Sequence, residues 1–174
     1  MTDEAGYNLT CTIARSLEVL GARWNLLIMR EAHNGITRFA DFRQLLGIAP
    51  DVLSDRLAQL VRAGVLERRP YQAPGERPRD EYVLTQRGRD LKIVLAALQD
   101  WGDKHMASEF GPTVVRRHGG EHGDDSEVHV AFVDPRGERV PENEVYSQPR
   151  TGTPAEPFFE HREELVERAA ACRS

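Results

Sequence analysis

The sequence predicts an α+β fold that is mostly helical, and three observations carry that prediction. Between residues 9 and 63 short amphipathic segments follow one another, separated by glycines. Two strand-like runs, VLERR and DEYVLT, then flank a loop of arginines, prolines and a glycine. A last long amphipathic stretch, 86–108, carries more apolar surface than so small a domain can bury. We expect one domain over 1–110 and a Gly/Pro-rich acidic extension over 111–174, a small hairpin plus a short helix.

The elements can be justified in order. LTCTIARSLEVL places Ile13, Leu17 and Leu20 at helical spacing. Gly21 interrupts, and RWNLLIMREAH puts Trp24, Leu27, Ile28 and Glu31 on one side of a second helix, which stops at Asn34-Gly35. Thr37 is expected to cap a short helix, RFADFRQLL, closed by Gly47. Pro50 then opens another helix, where its missing N–H costs nothing, with Leu53, Leu57, Leu60 and Val61 inward and Gly64 ending it. Two short helices joined by a three- or four-residue break have helix-turn-helix spacing. Thr85 is expected to cap one continuous helix over about Gln86–Ser108, with Leu91, Val94, Leu95, Leu98, Trp101 and His105 as its stripe. Ile13, Leu17, Leu91, Leu95, Leu98 and Trp101 are the candidate dimerisation residues, because such a stripe suits a second copy of itself.

A helix-turn-helix followed by strand–loop–strand is a winged helix. In that arrangement the second helix, here about 50–63, enters the major groove of DNA, and the wing, about 70–80, lies on the backbone or in the minor groove. A wing needs cations for phosphates, and arginine suits a narrow minor groove. Arg77 and Arg79 are the candidates at its tip and Arg68 and Arg69 at its base, with Pro70, Pro74 and Pro78 limiting the entropy lost on binding. On the second helix Asp51, Ser54, Asp55, Ala58, Gln59 and Arg62 point away from the apolar stripe. Gln59 suits adenine, Arg62 a guanine or a phosphate, and Ser54 either. Asp55 would accept from cytosine or pin Arg56. Arg38, at a helix start, suits a phosphate.

Charge does not exclude this reading. The net charge is −5, yet residues 1–110 hold 15 Lys+Arg and 15 Asp+Glu, against 8 and 13 in 111–174. The deficit therefore lies in the extension. Residues 111–157 contain 6 Gly and 6 Pro; EVHVAFV, a DPRG turn and ERV form a plausible hairpin, and PFFEHREELVERAAACRS a short acidic helix. No apolar run is long enough to cross a bilayer, and the first residues are not a secretion signal. Two cysteines, Cys11 and Cys172, make no disulfide framework, so a cytoplasmic protein is expected. No phosphate-binding glycine loop, nucleophile elbow or H-E-x-x-H is present, so neither an enzyme nor a cofactor is expected.

Residues 9–106 resemble the HxlR-type winged-helix transcription regulators. The matching runs are Cys11, LGARWNLLIMRE, TRFADFRQLLGIAP, LSDRLAQLVRAGVLERRPY, DEYVLTQRG and LQDWGDKH. The resemblance implies a cytoplasmic bacterial homodimer, paired through its first and last domain helices, that binds a palindromic operator in double-stranded DNA and usually represses. It departs at IAP, where many members carry a serine, and at Asp80, where many carry an apolar residue. Longer members have a C-terminal ribbon with cysteine pairs; here Val133 and Arg136 stand in those places, which leaves His118, His122 and His129 without zinc knuckles, and no metal is expected. Some members sense oxidants through a cysteine near Cys11. A helix N-terminus lowers a thiol pKa, but a cysteine there is equally a small buried hydrophobe at a dimer seam. A small-molecule effector is consistent with the family, its identity unknown. Outside the DNA-binding class, a winged-helix protein-interaction module would use the acidic recognition helix and the extension instead.

Overall fold

The structure, a computed structural model, describes residues 11–72, 77–106, 108–112, 114–153 and 155–171. The chain divides into two compact units: Ala22–Ala131, and the residues before Ala22 taken with those from Phe132 onward.

The larger unit begins with α2 (Arg23–His33), which follows α1 (Thr12–Leu20) of the other unit. Asn34 closes α2. Next come α3 (Phe39–Leu46) and α4 (Pro50–Arg62). The turn between them rests on Gly47, in the left-handed region at φ 60°, a conformation that costs a side chain bearing a Cβ. Ile48 is buried in that turn, and Pro50 takes the first position of α4 as expected. Ile28 and Met29 of α2, Phe42 of α3, and Leu53, Leu57 and Leu60 of α4 are all fully buried, so the three helices share one core. Burying each such side chain is worth about 2 kcal/mol, and that fixes the direction of α4's outer face.

The cap expected from Thr37 is not formed. Arg38 occupies the N-cap position of α3, without a side-chain cap bond. Thr37 is drawn into the sheet instead: its carbonyl accepts from Tyr82 N–H at 2.7 Å, and Arg38 bridges Glu81. Residues 37–38 thus lie beside β2 (Arg79–Leu84), which pairs antiparallel with β1 (Leu66–Tyr71), from Leu66 opposite Leu84 to Tyr71 opposite Arg79. Pro70 falls on the edge strand β1, where its missing N–H removes no bond from the far side.

The long helix expected over 86–108 is broken. A single turn, α5 (Gln86–Arg89), is followed by a bend at Asp90–Leu91 and then by α6 (Lys92–His105). Thr85 does cap α5, accepting from Gly88 N–H at 3.1 Å. Its hydroxyl donates to the Gly64 carbonyl at 2.7 Å, so one threonine ties the end of the wing to the end of α4. Gly88 is buried against the Val65 carbonyl, with no room for a Cβ. His33 Nε2 lies 3.1 Å from the Gly88 carbonyl, an oxygen that only an N–H can serve, so Nε2 carries the proton. Burial, opposed by that hydrogen bond and assisted by the Lys92 charge, holds the His33 pKa below its ordinary value.

After α6 the same unit continues through a ribbon, and it takes the first half of EVHVAFV: Glu127 and Val128, expected to pair with ERV, pair back with residues 116–117 instead. Arg117 bridges Glu127, His118 N–H donates to the Ser126 carbonyl at 2.8 Å, and Val128 N–H donates to the Arg116 carbonyl at 3.0 Å. The HGGEHGDD stretch is the turn of this ribbon. Helix α6 holds it at both edges. Gln99 donates to the Val114 carbonyl at 2.8 Å, and Asp100 accepts from Val130 N–H at 3.1 Å and from the Arg116 guanidinium. Burial opposes ionisation of Asp100, but those two donors outweigh it and keep its pKa below the usual carboxylate value.

The smaller unit holds α1, the hairpin of β3 (Phe132–Val133) and β4 (Arg139–Val140), and α7 (Glu156–Ala171). The expected DPRG turn is present. Asp134 accepts from Arg136 N–H at 2.8 Å and from Glu138 N–H at 3.0 Å, and Gly137 has φ 85°.

Candidate nucleic-acid interface

The core burial of Leu53, Leu57 and Leu60 turns one face of α4 to solvent, and Asp51, Ser54, Asp55 and Arg62 are exposed on it. Ala58 is half-buried between them. Gln59, expected on this face, lies on the flank instead, together with Arg56. Gln59 Oε1 accepts from Asn25 Nδ2 at 3.3 Å and from Arg56 Nη1 at 3.1 Å. Asn25 is fully buried in α2. A buried amide must find partners, and Gln59 answers that demand from within the protein. Asp55 does not pin Arg56 in any ion pair among the described residues; Gln59 holds it.

At the wing, the two faces of the hairpin differ. Arg68 stacks over the Tyr82 ring at 5.7 Å and sits 3.5 Å from Asp80, so its charge is partly answered at the base of the wing. Arg69 pairs with Glu67 on its own strand. On the other side the Arg38 guanidinium lies over the Tyr71 ring at 4.7 Å. Stacking of this kind holds a guanidinium in place while leaving its N–H groups directed outward. Arg77 and Arg79 are both exposed toward the tip, and Arg77 has no ion-pair partner among the described residues. Pro74, one of the expected stiffening prolines, lies outside the described residues.

This stacking of one arginine on each tyrosine, on opposite faces of the hairpin, was missed from sequence. Its only signal was the aromatic residue near each end of the loop, which the strand reading had absorbed.

The expected dimerisation residues separate into two groups. Leu98 is 50% and Trp101 55% exposed on α6, and Ile13 and Leu17 are exposed on α1, whereas Leu91 and Leu95 are half-buried within their own domain. Val94, also exposed, completes the outward stripe with His105, whose ring lies 5.4 Å from that of Trp101. Cys11 is the partly exposed N-cap residue of α1. Cys172 lies outside the described residues.

Among the described residues no three His, Cys, Asp or Glu side chains are grouped to hold a metal, and no helix is long and apolar enough to cross a membrane.

Helix α3, a glycine turn, helix α4 and a two-stranded wing bearing arginines define a winged helix-turn-helix protein. Residues 19–110 match the family model of the HxlR-like helix-turn-helix, and the chain belongs to that family. An uncharacterised helix-turn-helix-type transcriptional regulator of Mycobacterium tuberculosis is 44% identical over 115 residues, which span 65% of this chain and 72% of that one. The crystal structure of PA1607, a candidate transcription factor, superposes with TM-score 0.70 at 29% identity, covering 84% of this chain and 99% of its own. A second candidate transcription factor, PA1374 from Pseudomonas aeruginosa, gives TM-score 0.59 at 37% identity, covering 84% and 97%.

Proposed function

We propose that this protein is a sequence-specific DNA-binding transcriptional regulator, a cytoplasmic homodimer that represses from a palindromic operator. The observation that carries the reading is the exposed face of α4, with Ser54, Asp55 and Arg62, in the same compact unit as a wing whose Arg77 and Arg79 face solvent. Ser54 and Arg62 are assigned to base edges, Asp55 to a cytosine amino group, and Arg38, Arg77 and Arg79 to phosphates. Arg56 and Gln59 act by fixing the flank of α4. Arg68 supports the wing base.

Fluorescence anisotropy on the duplex upstream of the protein's own gene, against a scrambled duplex at two salt concentrations, tests this. Binding at least about a hundredfold tighter to the native duplex is expected, falling steeply with salt. Arg62→Ala should lose about 1–3 kcal/mol on the native duplex and little on the scramble. Equal losses on both would make Arg62 a phosphate contact. A weak salt dependence, or no binding to any duplex at low salt, would favour a protein-interaction module.

For the dimer, the outward stripe of Val94, Leu98 and Trp101 is assigned to a second copy, with Ile13 and Leu17 of α1 contributing. Leu98→Glu is then expected to sediment as a monomer while the wild type sediments as a dimer, since a desolvated, unpaired carboxylate costs several kcal/mol. A variant that remains dimeric removes α6 from the interface.

A further inference from the structure

We propose that the cleft between α6 and the ribbon 116–130 is a binding site for a small carboxylate with an apolar body. The cleft has a volume of about 350 Å³. That is the lower end of the range for ligand pockets, so the occupant is small. Ile93 and Ala96 of α6 and Val128 and Val130 of the ribbon supply its apolar lining.

Its charged lining is unequal in what it has left to offer. Arg89 spends its guanidinium on Gln86 and the Leu84 carbonyl. Asp90, the acid in the lining, accepts from Gln86 at 2.8 Å. Lys92 is exposed and has no ion pair among the described residues. Arg116 gives Nη2 to Asp100, while Nη1 is buried and makes no hydrogen bond to the protein. A buried guanidinium N–H left unmatched is costly, and a carboxylate is the acceptor that matches it best. Arg116 also lines a second cavity of about 160 Å³, which shares Val128 and His129 with the first. One anionic oxygen between Arg116 and Lys92, with a hydrocarbon tail along Ile93, Ala96, Val128 and Val130, satisfies both kinds of lining.

The site is on the face of α6 opposite the Val94–Leu98–Trp101 stripe, so a partner subunit there would leave it open. That such a ligand would be the effector of the regulator rests on the proposed function; its binding does not.

The test uses the full-length protein without DNA, titrated with octanoate and, separately, with octanamide, and followed by backbone amide NMR. Octanoate is expected to give saturable shifts centred on Ile93, Ala96, Val128 and Val130, with octanamide at least about tenfold weaker. In Lys92→Gln, a surface change that leaves the fold intact, that preference should shrink by about threefold or more. The inference fails if octanoate gives no saturable shift in these residues, if the shifts centre elsewhere, or if octanamide binds equally well. Because no DNA is present, a protein that failed to bind any operator would still answer this test, and an operator-binding protein could still fail it.

Discussion

Arg77→Ala combined with Arg79→Ala is expected to weaken DNA binding by about a hundredfold at moderate salt, equally on native and scrambled duplexes. Each guanidinium neutralises one phosphate on this reading. A charge-assisted hydrogen bond to phosphate is worth about 1.5 kcal/mol at the low end, and two such losses are roughly two decades in affinity. Both side chains are exposed at the wing, so their removal uncovers no core and should leave the melting temperature unchanged. The slope of log affinity against log salt should fall by about two, one for each counterion no longer released. Arg68 contrasts with Arg77, which has no ion-pair partner among the described residues. The Arg68 guanidinium is already engaged with Tyr82 and Asp80, and Arg68→Ala should cost stability of the hairpin more than it changes the salt slope. If the double variant binds with wild-type affinity and slope, the wing does not touch DNA.

Gly88→Ala is expected to destabilise the protein by about 3 kcal/mol, lowering the melting temperature by roughly 10 °C. A Cβ on Gly88 would fall on the Val65 carbonyl oxygen and close to a Leu84 methyl. That carbonyl cannot retreat cheaply, because it accepts Thr85 N–H at 3.2 Å and lies beside the turn that ends α4. The same shift would strain the Thr85 hydroxyl bond to Gly64 and the His33 contact with the Gly88 carbonyl. Gly102 is the control: a Cβ there meets nothing within 4 Å, and it sits inside α6, so Gly102→Ala should be neutral or stabilising by up to about 1 kcal/mol. Thermal melts of the two variants side by side would decide the matter. Equal stabilities would mean that Gly88 is not closely packed.

The periodicity of Leu53, Leu57 and Leu60, the glycine stops at Gly35, Gly47 and Gly64, and Pro50 at a helix start were enough to place the helix-turn-helix. These are local signals: each reports which way a backbone can turn or which face of one helix is apolar, and neither needs a distant partner to be read. The strand pattern around the arginine-rich loop placed the wing for the same reason. What failed were the features that depend on residues far apart in sequence. Thr37 reads as a cap by local chemistry, yet a hydrogen bond from Tyr82 recruits its backbone to the sheet. Gln59 reads as an outward polar residue at helical spacing, yet Asn25, buried one helix away, turns it inward. The stretch 86–108 reads as one helix, and the bend at Asp90–Leu91 follows the packing of α5 against the wing, where Gly88 meets Val65.

The extension shows the same division. Its turn chemistry at Asp134–Gly137 was legible, because an aspartate that accepts its neighbours' N–H groups needs no distant contact. That residues 114–130 fold back on α6 was not. Their hold depends on Gln99 and Asp100, two polar residues on a helix face that sequence alone assigns to solvent. By itself, then, the sequence determined the order of elements, the family and the general position of a DNA-reading surface. Only the tertiary structure decided which side chains of α4 stay free to reach outward, and that α6 has one face for its own ribbon and another left open. The physical reason is that a buried polar group must be satisfied wherever its partner lies along the chain, and that partner is visible only once the chain has folded.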